Sequence, residues 1–170
     1  MDFVNMVKAR LPDYAKDIRL NLDGVIARSS LPPEDALGVA LAAAFASKSA
    51  PLIEAFRANT PAAEANAALT AAALMGMNNV WYPFIEMAAD EELKSVRPEL
   101  RMNAYATSGG VEKKKFEAYA LAASIVGKCH FCVQSHYALL KKEGYTVQQL
   151  RDIGRIAAVV NAAAQVLAAG

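Results

Sequence analysis

The chain has few of the residues that most often carry protein chemistry. Its 170 residues include only two cysteines, two histidines and one tryptophan. Neither sign of charge dominates, because 18 Lys and Arg residues stand against 17 Asp and Glu residues. That balance gives no indication of a nucleic-acid partner or an anionic membrane surface. Long apolar runs are missing as well, since the longest, from Ala36 to Ala46, is far shorter than the roughly 20 residues that a bilayer requires.

The amino terminus shows no pattern of export. The sequence Met1-Asp2-Phe3-Val4-Asn5 lacks the basic segment followed by an apolar segment that marks a secretory signal peptide. We therefore expect a cytoplasmic protein. In that reducing compartment a CxxC pair is more often redox-catalytic or metal-binding than a structural disulfide.

Helical patterning runs through the chain, and no segment shows convincing strand alternation, so we predict an all-α fold. Much of the 55% hydrophobic fraction is alanine, which favours helices because it loses no side-chain entropy there. In the first half we predict helices over residues 12–27, from 33 to near 48, from 51 onward, over 62–77 and over 79–89. The first has an apolar face that we expect to point inward, made of Tyr14, Ile18, Leu22, Val25 and Ile26.

A charged, irregular stretch from Asp90 to Ser108 divides the chain. We predict one domain of two halves, with about 1–89 as a degenerate scaffold half and about 108–170 as the half that carries the site. The second half contains predicted helices over 111–126 and 130–143 and a final helix that begins after Thr146. Gly144 stands in the C′ position of the middle helix, and Thr146 with Gln149 forms a capping-box pattern.

The two halves share a short similarity at an offset of 80 residues. The matched pairs are residues 40–43 with 120–123, Lys48 with Lys128, Ser49 with Cys129, and Leu52 with Cys132. Alanine-rich helices match by chance easily, so this similarity leaves an internal duplication open.

Both cysteines and both histidines lie in one short segment, Cys129 to His136. If Cys129 opens a helix, its sulfur lies near unpaired N–H groups and the positive end of the helix dipole, which favour the thiolate. Cys132 follows three residues later, so the two sulfurs share a face and can form a disulfide. His136 follows Cys132 by four residues on that face and can exchange a proton with its sulfur. His130 is more simply an exposed residue than a catalytic one.

Glu117 is the unusual residue of the preceding helix. Leu121, Ser124 and Ile125 follow it at helical spacing, so it lies on a largely apolar stripe, where a carboxylate requires a partner. If the two helices pack as a hairpin, Glu117 can face Cys132 and His136 and act as the terminal acid/base of a proton relay. The plainer interpretation is a solvated or capping charge.

The combined spacing is Glu117, eleven residues, Cys129, two residues, Cys132, three residues, His136. It resembles the signature of the alkyl hydroperoxide reductase AhpD family, a branch of the carboxymuconolactone decarboxylase-like superfamily. The likeness extends over the chain, including residues 6–17 and 78–82. The resemblance implies an all-α, AhpD-like fold of two related halves, with the CxxC at the N-terminus of a helix in the second half, and a homotrimer.

The resemblance also implies the chemistry. Such proteins are antioxidant enzymes that reduce the peroxiredoxin AhpC and, weakly, alkyl hydroperoxides directly. Their reductant is dihydrolipoamide, held on the lipoyl domain of a 2-oxoacid dehydrogenase component that works with lipoamide dehydrogenase, and no tightly bound cofactor is implied. Carried onto this chain, Cys132 is the nucleophile that passes through a sulfenic acid. Cys129 is the resolving cysteine and proton donor that closes the Cys129–Cys132 redox disulfide, and Glu117 and His136 form the relay.

The spacing leaves two questions about the site open: which cysteine is the nucleophile, and whether His130 takes part. The helix-terminus argument favours Cys129 as the nucleophile, whereas the position of His136 favours Cys132, which is also what the resemblance implies. The family has a histidine immediately before the second cysteine, where this chain has Phe131. His130, one position earlier, is therefore only a candidate accessory residue.

The main alternative is a zinc-binding module that uses Cys129, Cys132 and His136, with Glu117 as a fourth ligand. Ligands three and four residues apart on one regular helix are hard to close into a tetrahedron with both sulfurs. A non-redox decarboxylase of the same superfamily is a further alternative, although those enzymes generally lack the cysteine pair. A structural oligomer whose cysteines are relics is the last.

Overall fold

A computed structural model describes residues 2–170 of the chain, with side chains from Val4 onward. Met1 lies outside the described residues, and it belongs to the segment from which we predicted that no signal peptide is present. The described residues form ten α-helices and two single-turn 3-10 helices, with no strand among them. None of these helices is long and apolar enough to cross a membrane. The α-helices are α1 (Asp2–Lys8), α2 (Lys16–Ala27), α3 (Pro33–Ala46), α4 (Ala50–Arg57), α5 (Ala62–Ala88), α6 (Glu91–Ser95), α7 (Asn103–Ala106), α8 (Lys113–Gly127), α9 (His130–Lys142) and α10 (Val147–Ala168).

Four helices, α3, α5, α8 and α10, pack around one core. Alanines line much of their contact, which lets the helix axes approach closely. The approach is especially close at Gly38 of α3, where the ring of Tyr119 on α8 occupies the space that a Cβ would fill. Both α3 and α8 are therefore buried over most of their length, and α8 presents Glu117 from the inside of the molecule.

The structure corrects two helix predictions in the first half. Residues 62–77 and 79–89 were predicted as separate helices, but they form the single helix α5, which continues past the two asparagines at 78 and 79. The Asn79 side chain donates to the Ala123 carbonyl oxygen of α8 at 3.1 Å, so tertiary contact outweighs the weak helix propensity of asparagine. Tyr14 was predicted to point inward, yet it is 74% exposed. It lies in the 3-10 turn Asp13–Ala15 that precedes α2, so the 3.6-residue period does not apply to it.

The stretch that was predicted to be irregular contains the short helices α6 and α7 and the 3-10 turn Ser108–Gly110. This turn packs on α5 and α8. Gly109 fits there because its φ is +58° and because a Cβ would come within 2.9 Å of the Ala67 backbone. The docked turn holds α7, and with it Tyr105, beside α8.

The same turn joins α3 to α4 and α8 to α9. Lys48 and Lys128 both have left-handed backbones, with φ of 58° and 54°. The N–H of Ser49 donates to the Ala44 carbonyl at 3.2 Å, and the N–H of Cys129 donates to the Ser124 carbonyl at 3.3 Å. These matched bonds recur at the 80-residue offset seen in the sequence, so the first half repeats the turn that carries the cysteines, with serine and leucine in their places.

Candidate active site

The turn between α8 and α9 places Cys129 at the start of α9. Lys128 reverses the chain in the left-handed region, and Cys129 then takes the N-cap position with an extended backbone. Its sulfur accepts a hydrogen bond from the backbone N–H of Cys132 at 3.3 Å. An N-terminal N–H group aimed at sulfur stabilises negative charge there, so the Cys129 thiolate is the better leaving group of the pair.

The two sulfurs are joined in a Cys129–Cys132 disulfide. Each lies 3.7 Å from the carbonyl oxygen of Asn78 on α5, which the thiols can use as an acceptor after reduction. Cys129 is fully buried, whereas Cys132 lines a cleft of about 420 Å³. Of the two cysteines, therefore, only Cys132 borders that cleft.

His136 and Glu117 form a buried pair behind the cysteines. Nδ1 of His136 on α9 lies 2.6 Å from Oε2 of Glu117 on α8, and Glu117 is only 1% exposed. The pair confirms that the two helices face each other as a hairpin at this point. His136 also lines the cleft, so the imidazole joins the space beside Cys132 to the buried carboxylate.

Glu117 is held as a carboxylate in spite of its burial. Burial raises the pKa of Glu117, but hydrogen bonds with His136 and Tyr105, together with the positive charge of Lys113, outweigh it and hold the pKa below its usual range. An ionised carboxylate only accepts hydrogen bonds, so Nδ1 of His136 carries the shared hydrogen. The other ring nitrogen, Nε2, lies 3.2 Å from the sulfur of Met75. Of the hydrogen bonds that the structure describes, none joins His136 to either cysteine sulfur in this disulfide state.

Aromatic side chains form the mouth of the cleft. Tyr82 of α5 stacks on Phe131 with ring centroids 4.2 Å apart, and both rings line the cleft. Ser135 and Tyr105 add hydroxyl groups to the lining, and Met102 adds apolar surface. The cleft lining thus combines aromatic and apolar surface with the side chains of Cys132 and His136.

Comparison with known proteins places this arrangement in a family. The alkyl hydroperoxide reductase AhpD of Rhodospirillum centenum is 42% identical over 168 residues, which cover 96% of this chain and 90% of that protein. This chain belongs to the AhpD family. The AhpD of Maricaulis maris is 40% identical over 170 residues, covering 98% of each chain. The AhpD of Coxiella burnetii is 39% identical over 166 residues, covering 94% of this chain and 93% of that one. A model of the carboxymuconolactone decarboxylase family matches residues 91–169.

The structure brings together the four residues that the AhpD pattern singles out, Glu117, Cys129, Cys132 and His136. His130 lies apart from them. Its side chain is 73% exposed, and its Nδ1 lies 3.2 Å from Oε1 of Glu86 on α5. Phe131, which stands where the AhpD pattern has histidine, instead forms the aromatic mouth of the cleft.

The sequence did not identify three residues that contact members of the four-residue site: Asn78, Met75 and Tyr105. Asn78 and Met75 lie on α5 and reach the site only because α5 packs on α8 and α9. The hydroxyl of Tyr105 on α7 donates to Oε1 of Glu117. No periodic pattern links these residues to the CxxC segment. The one available signal was the similarity of residues 78–82 to the family, which includes Asn78.

The described side chains include no group of three or more His, Cys, Asp or Glu residues placed to hold a metal ion. The geometry therefore gives no support to the alternative in which Cys129, Cys132, His136 and Glu117 bind zinc.

Proposed function

We propose that this chain is an antioxidant thiol–disulfide oxidoreductase with alkyl hydroperoxidase activity, which works through a Cys129/Cys132 dithiol–disulfide cycle. The observation that carries the proposal is the pairing of a closed CxxC disulfide with a cleft that is lined by Cys132 and not by Cys129. The same cleft reaches His136 of the buried His136–Glu117 pair. Membership of the AhpD family supports the same chemistry.

In the oxidative step the Cys132 thiolate attacks the distal oxygen of a hydroperoxide in the cleft. A sulfur–oxygen bond forms, the oxygen–oxygen bond breaks, and the departing alkoxide takes a proton to leave as an alcohol. His136, which lines the cleft, is the proposed source of that proton, with Glu117 stabilising the charge on the imidazole. Cys132 is left as a sulfenic acid.

In the resolving step the sulfur of Cys129 attacks the sulfur of the Cys132 sulfenic acid. The sulfur–sulfur bond forms, the sulfur–oxygen bond breaks, and the hydroxyl group leaves as water after taking a proton. Cys129 is suited to this role because it is buried, out of reach of the peroxide, and bonded to the N–H of Cys132. Its thiol can supply the proton as it becomes the attacking thiolate.

In the reductive step a dithiol returns the disulfide to two thiols. One thiolate of dihydrolipoamide attacks Cys132, the sulfur that faces the cleft, and the Cys129 thiolate leaves toward the helix N-terminus that stabilises it. The second thiol of dihydrolipoamide then releases Cys132 and closes to lipoamide. Two electrons enter the protein in each cycle, and two leave to the hydroperoxide.

The wider setting follows the AhpD family. The peroxiredoxin AhpC is the proposed protein substrate, and its disulfide is reduced by the Cys129/Cys132 dithiol. The proposed donor is the lipoyl domain of a 2-oxoacid dehydrogenase component, recharged by lipoamide dehydrogenase in the cytoplasm. The proposed assembly is a homotrimer, and no tightly bound cofactor takes part.

A coupled assay tests this function. It contains the protein, lipoamide, lipoamide dehydrogenase, NADH and an alkyl hydroperoxide, with and without the peroxiredoxin, and follows NADH consumption. Wild type should consume NADH, and Cys132→Ser and Cys129→Ser should each abolish the consumption while they keep the wild-type melting temperature in reductant. Full turnover by Cys129→Ser would rule out its resolving role, and full turnover by Cys132→Ser would rule out the whole cycle.

A further inference from the structure

One oxygen of the Glu117 carboxylate is held from outside the helix hairpin that carries the cysteines. Oε2 contacts Nδ1 of His136 at 2.6 Å, and Oε1 accepts the hydroxyl hydrogen of Tyr105. Among residues 4–170, no other described side chain or backbone group donates a hydrogen bond to Oε1. Because Glu117 is buried, loss of the Tyr105 hydroxyl would leave a charged oxygen without a donor, which is costly.

The Tyr105 ring is fixed in the position that makes this bond. It packs edge-on against Phe116 of α8, with ring centroids 5.6 Å apart. Its centroid lies 6.4 Å from that of His136, and the residue lines the cleft beside Cys132. Tyr105 therefore stands between the open cleft and the buried pair, on a helix that comes from the segment between the two halves.

The Tyr105 hydroxyl acts as a permanent donor. Burial raises its pKa well above the ordinary value, and the hydrogen bond to Glu117 and the charge of that carboxylate raise it further. The phenol consequently keeps its hydrogen at neutral pH. The hydroxyl is directed to Oε1 of Glu117, so the effect of Tyr105 on the site passes through that carboxylate.

We propose that Tyr105 is a positioning residue of the redox site, which holds the Glu117 carboxylate by Oε1 and so keeps its Oε2 on Nδ1 of His136. This inference rests on the proposed function, in which His136 moves protons beside Cys132. A carboxylate fixed at both oxygens fixes the orientation of the imidazole and the ring nitrogen that carries hydrogen. The other nitrogen, Nε2, is then free of the carboxylate and lies 3.2 Å from the sulfur of Met75.

The ionisable groups that act on Glu117 are Tyr105 from α7, His136 from α9 and Lys113 from α8. Both Tyr105 and His136 donate hydrogen bonds that favour the charged carboxylate, and Lys113 adds positive charge. Burial favours the neutral acid, and the Tyr105 hydrogen bond is one of the interactions that counteract it. Removal of the hydroxyl therefore leaves the effect of burial less well balanced. The pKa of Glu117 must then rise.

The direct test is a titration of Glu117 in the oxidised protein, followed by the carbon-13 resonance of its side-chain carboxyl. Protein labelled at glutamate carboxyl carbons is titrated as wild type, Tyr105→Phe and Tyr137→Phe, and Glu117→Gln identifies the resonance by its loss. Tyr105→Phe keeps the ring packing on Phe116 and removes only the hydroxyl. Tyr137→Phe is the matched control, because Tyr137 lies on α9, outside the residues that line the cleft.

We expect the Glu117 midpoint to rise by about one pH unit in Tyr105→Phe and to stay at the wild-type value in Tyr137→Phe. If Tyr105→Phe fails to fold, fluorotyrosine at position 105 supplies the test, since its more acidic hydroxyl is a stronger donor and should lower the midpoint. An unchanged midpoint with either substitution, or an equal shift in Tyr137→Phe, would overturn the proposal.

Turnover separates this inference from the function on which it rests. In the coupled assay the acidic limb of the kcat/KM profile should move to higher pH in Tyr105→Phe, in step with the Glu117 midpoint. In a Glu117→Gln background, Tyr105→Phe should cause no further shift, because its effect passes through Glu117. A wild type that reduces no hydroperoxide would refute the proposed function, whereas a shifted midpoint without a shifted profile would refute only the role of Tyr105.

Discussion

At the residue scale, the site depends on a charge kept inside an apolar helix contact. Glu117 is surrounded by buried neighbours on α8, yet each of its oxygens meets a donor. This arrangement gives His136 a fixed negative partner in a place from which water is largely excluded, where an ion pair interacts more strongly than it would in solvent. The His136 imidazole is therefore held in one orientation on that carboxylate.

The Glu117–His136 pair should be required for turnover and not for folding. We expect Glu117→Gln and His136→Asn each to lower kcat/KM in the coupled assay by about 10²-fold, the usual contribution of a positioned acid or base. Melting curves should show that both variants remain folded. His130→Asn is the matched control, because His130 is exposed and pairs only with Glu86 among its described contacts, and it should turn over close to wild type. An equally strong loss in His130→Asn would instead give that residue the accessory role.

The residues of the site differ in how far the sequence could predict them. Cys129, Cys132 and His136 share one helix face by spacing alone, and Glu117 stands out as a carboxylate on an apolar stripe, so local periodicity was sufficient. Tyr105 belongs to a segment without periodicity, and its contact with Glu117 exists only because the turn at Ser108–Gly110 docks on α5 and α8. Such a contact is a property of the packed molecule and leaves no local pattern.

At the element scale, the turn between α8 and α9 is locked by α5. Gly127 lies against Asn79, and a Cβ at Gly127 would overlap the Asn79 side chain, including its own Cβ. Asn79 in turn donates to the Ala123 carbonyl oxygen at 3.1 Å. The position of Cys129, two residues after Gly127, therefore depends on a close approach that only glycine permits.

Gly127→Ala should destabilise the protein by about 2 kcal/mol, the usual cost of an overpacked contact. The measurement is chemical denaturation of the oxidised protein. Gly154→Ala is the matched control, because Gly154 lies within α10 with no atom within 4 Å of an added Cβ. It should stabilise the protein by about 0.5 kcal/mol, as alanine is the better helix former. Wild-type stability in Gly127→Ala would contradict the close packing of Asn79.

A second element contact ties α10 to the loop before α3. Oδ2 of Asp152 accepts hydrogen bonds from the backbone N–H and the hydroxyl of Ser30, at 2.9 and 2.8 Å. Oδ1 accepts from Arg151 and Arg155. Burial alone would raise the pKa of Asp152, but these bonds outweigh it and lower the pKa to about 2.

Asp152→Asn should cost about 2 kcal/mol at neutral pH. The folded-state pKa lies below the ordinary value of 3.8, so this stabilisation is complete above pH 3.8 and disappears as the pH falls toward 2. The free energies of unfolding of wild type and variant should therefore converge over that window. Asp13→Asn is the control, since the Asp13 side chain is fully exposed and pairs with Arg19 at the surface, and it should change stability very little. A difference that persists unchanged to low pH would contradict the ionised role of Asp152.

Element boundaries were predictable where the capping signals were local. The N–H of Gln149 donates to the Thr146 hydroxyl at 3.1 Å and completes the capping box that opens α10, and Gly144 has the positive φ expected at a C′ position. The break predicted near Asn78 was wrong because the propensity of asparagine is weak and α5 is held along its length by α3 and α8. Capping residues act on their own backbone, whereas helix continuation here depends on distant partners.

At the scale of the whole molecule, α5 carries an apolar stripe that the single chain does not cover. Val80, Phe84 and Met87 lie at helical spacing on one face, and all three are exposed. A contiguous exposed stripe of this kind marks an interaction surface. A neighbouring copy of this chain in the proposed homotrimer would cover it.

Light scattering coupled to size-exclusion chromatography should give a mass three times that of the 18.1 kDa chain. Met87→Glu should lower this mass, because it places a charge in the proposed interface. Met6→Glu, at an exposed methionine on α1, should leave it unchanged. A wild-type protein with the mass of one chain would contradict the trimer.

The all-α class of the molecule followed directly from alanine content and helical period. The repeated turn did not, because four matched alanine-rich residues occur easily by chance. The similarity becomes clear in the backbone: Lys48 and Lys128 are both left-handed, and the same hydrogen bonds close the two turns. In the first half the turn ends in Ser49 and Leu52, so it keeps the shape without the sulfur chemistry.

The most direct test asks which sulfur a hydroperoxide oxidises. Reduced Cys129→Ser and reduced Cys132→Ser are each mixed with one equivalent of an alkyl hydroperoxide and dimedone, and the adduct is located by mass spectrometry. We predict a sulfenic acid adduct on Cys132 in Cys129→Ser and none on Cys129 in Cys132→Ser, because only Cys132 reaches the cleft. An adduct on Cys129 with no adduct on Cys132 would contradict the account.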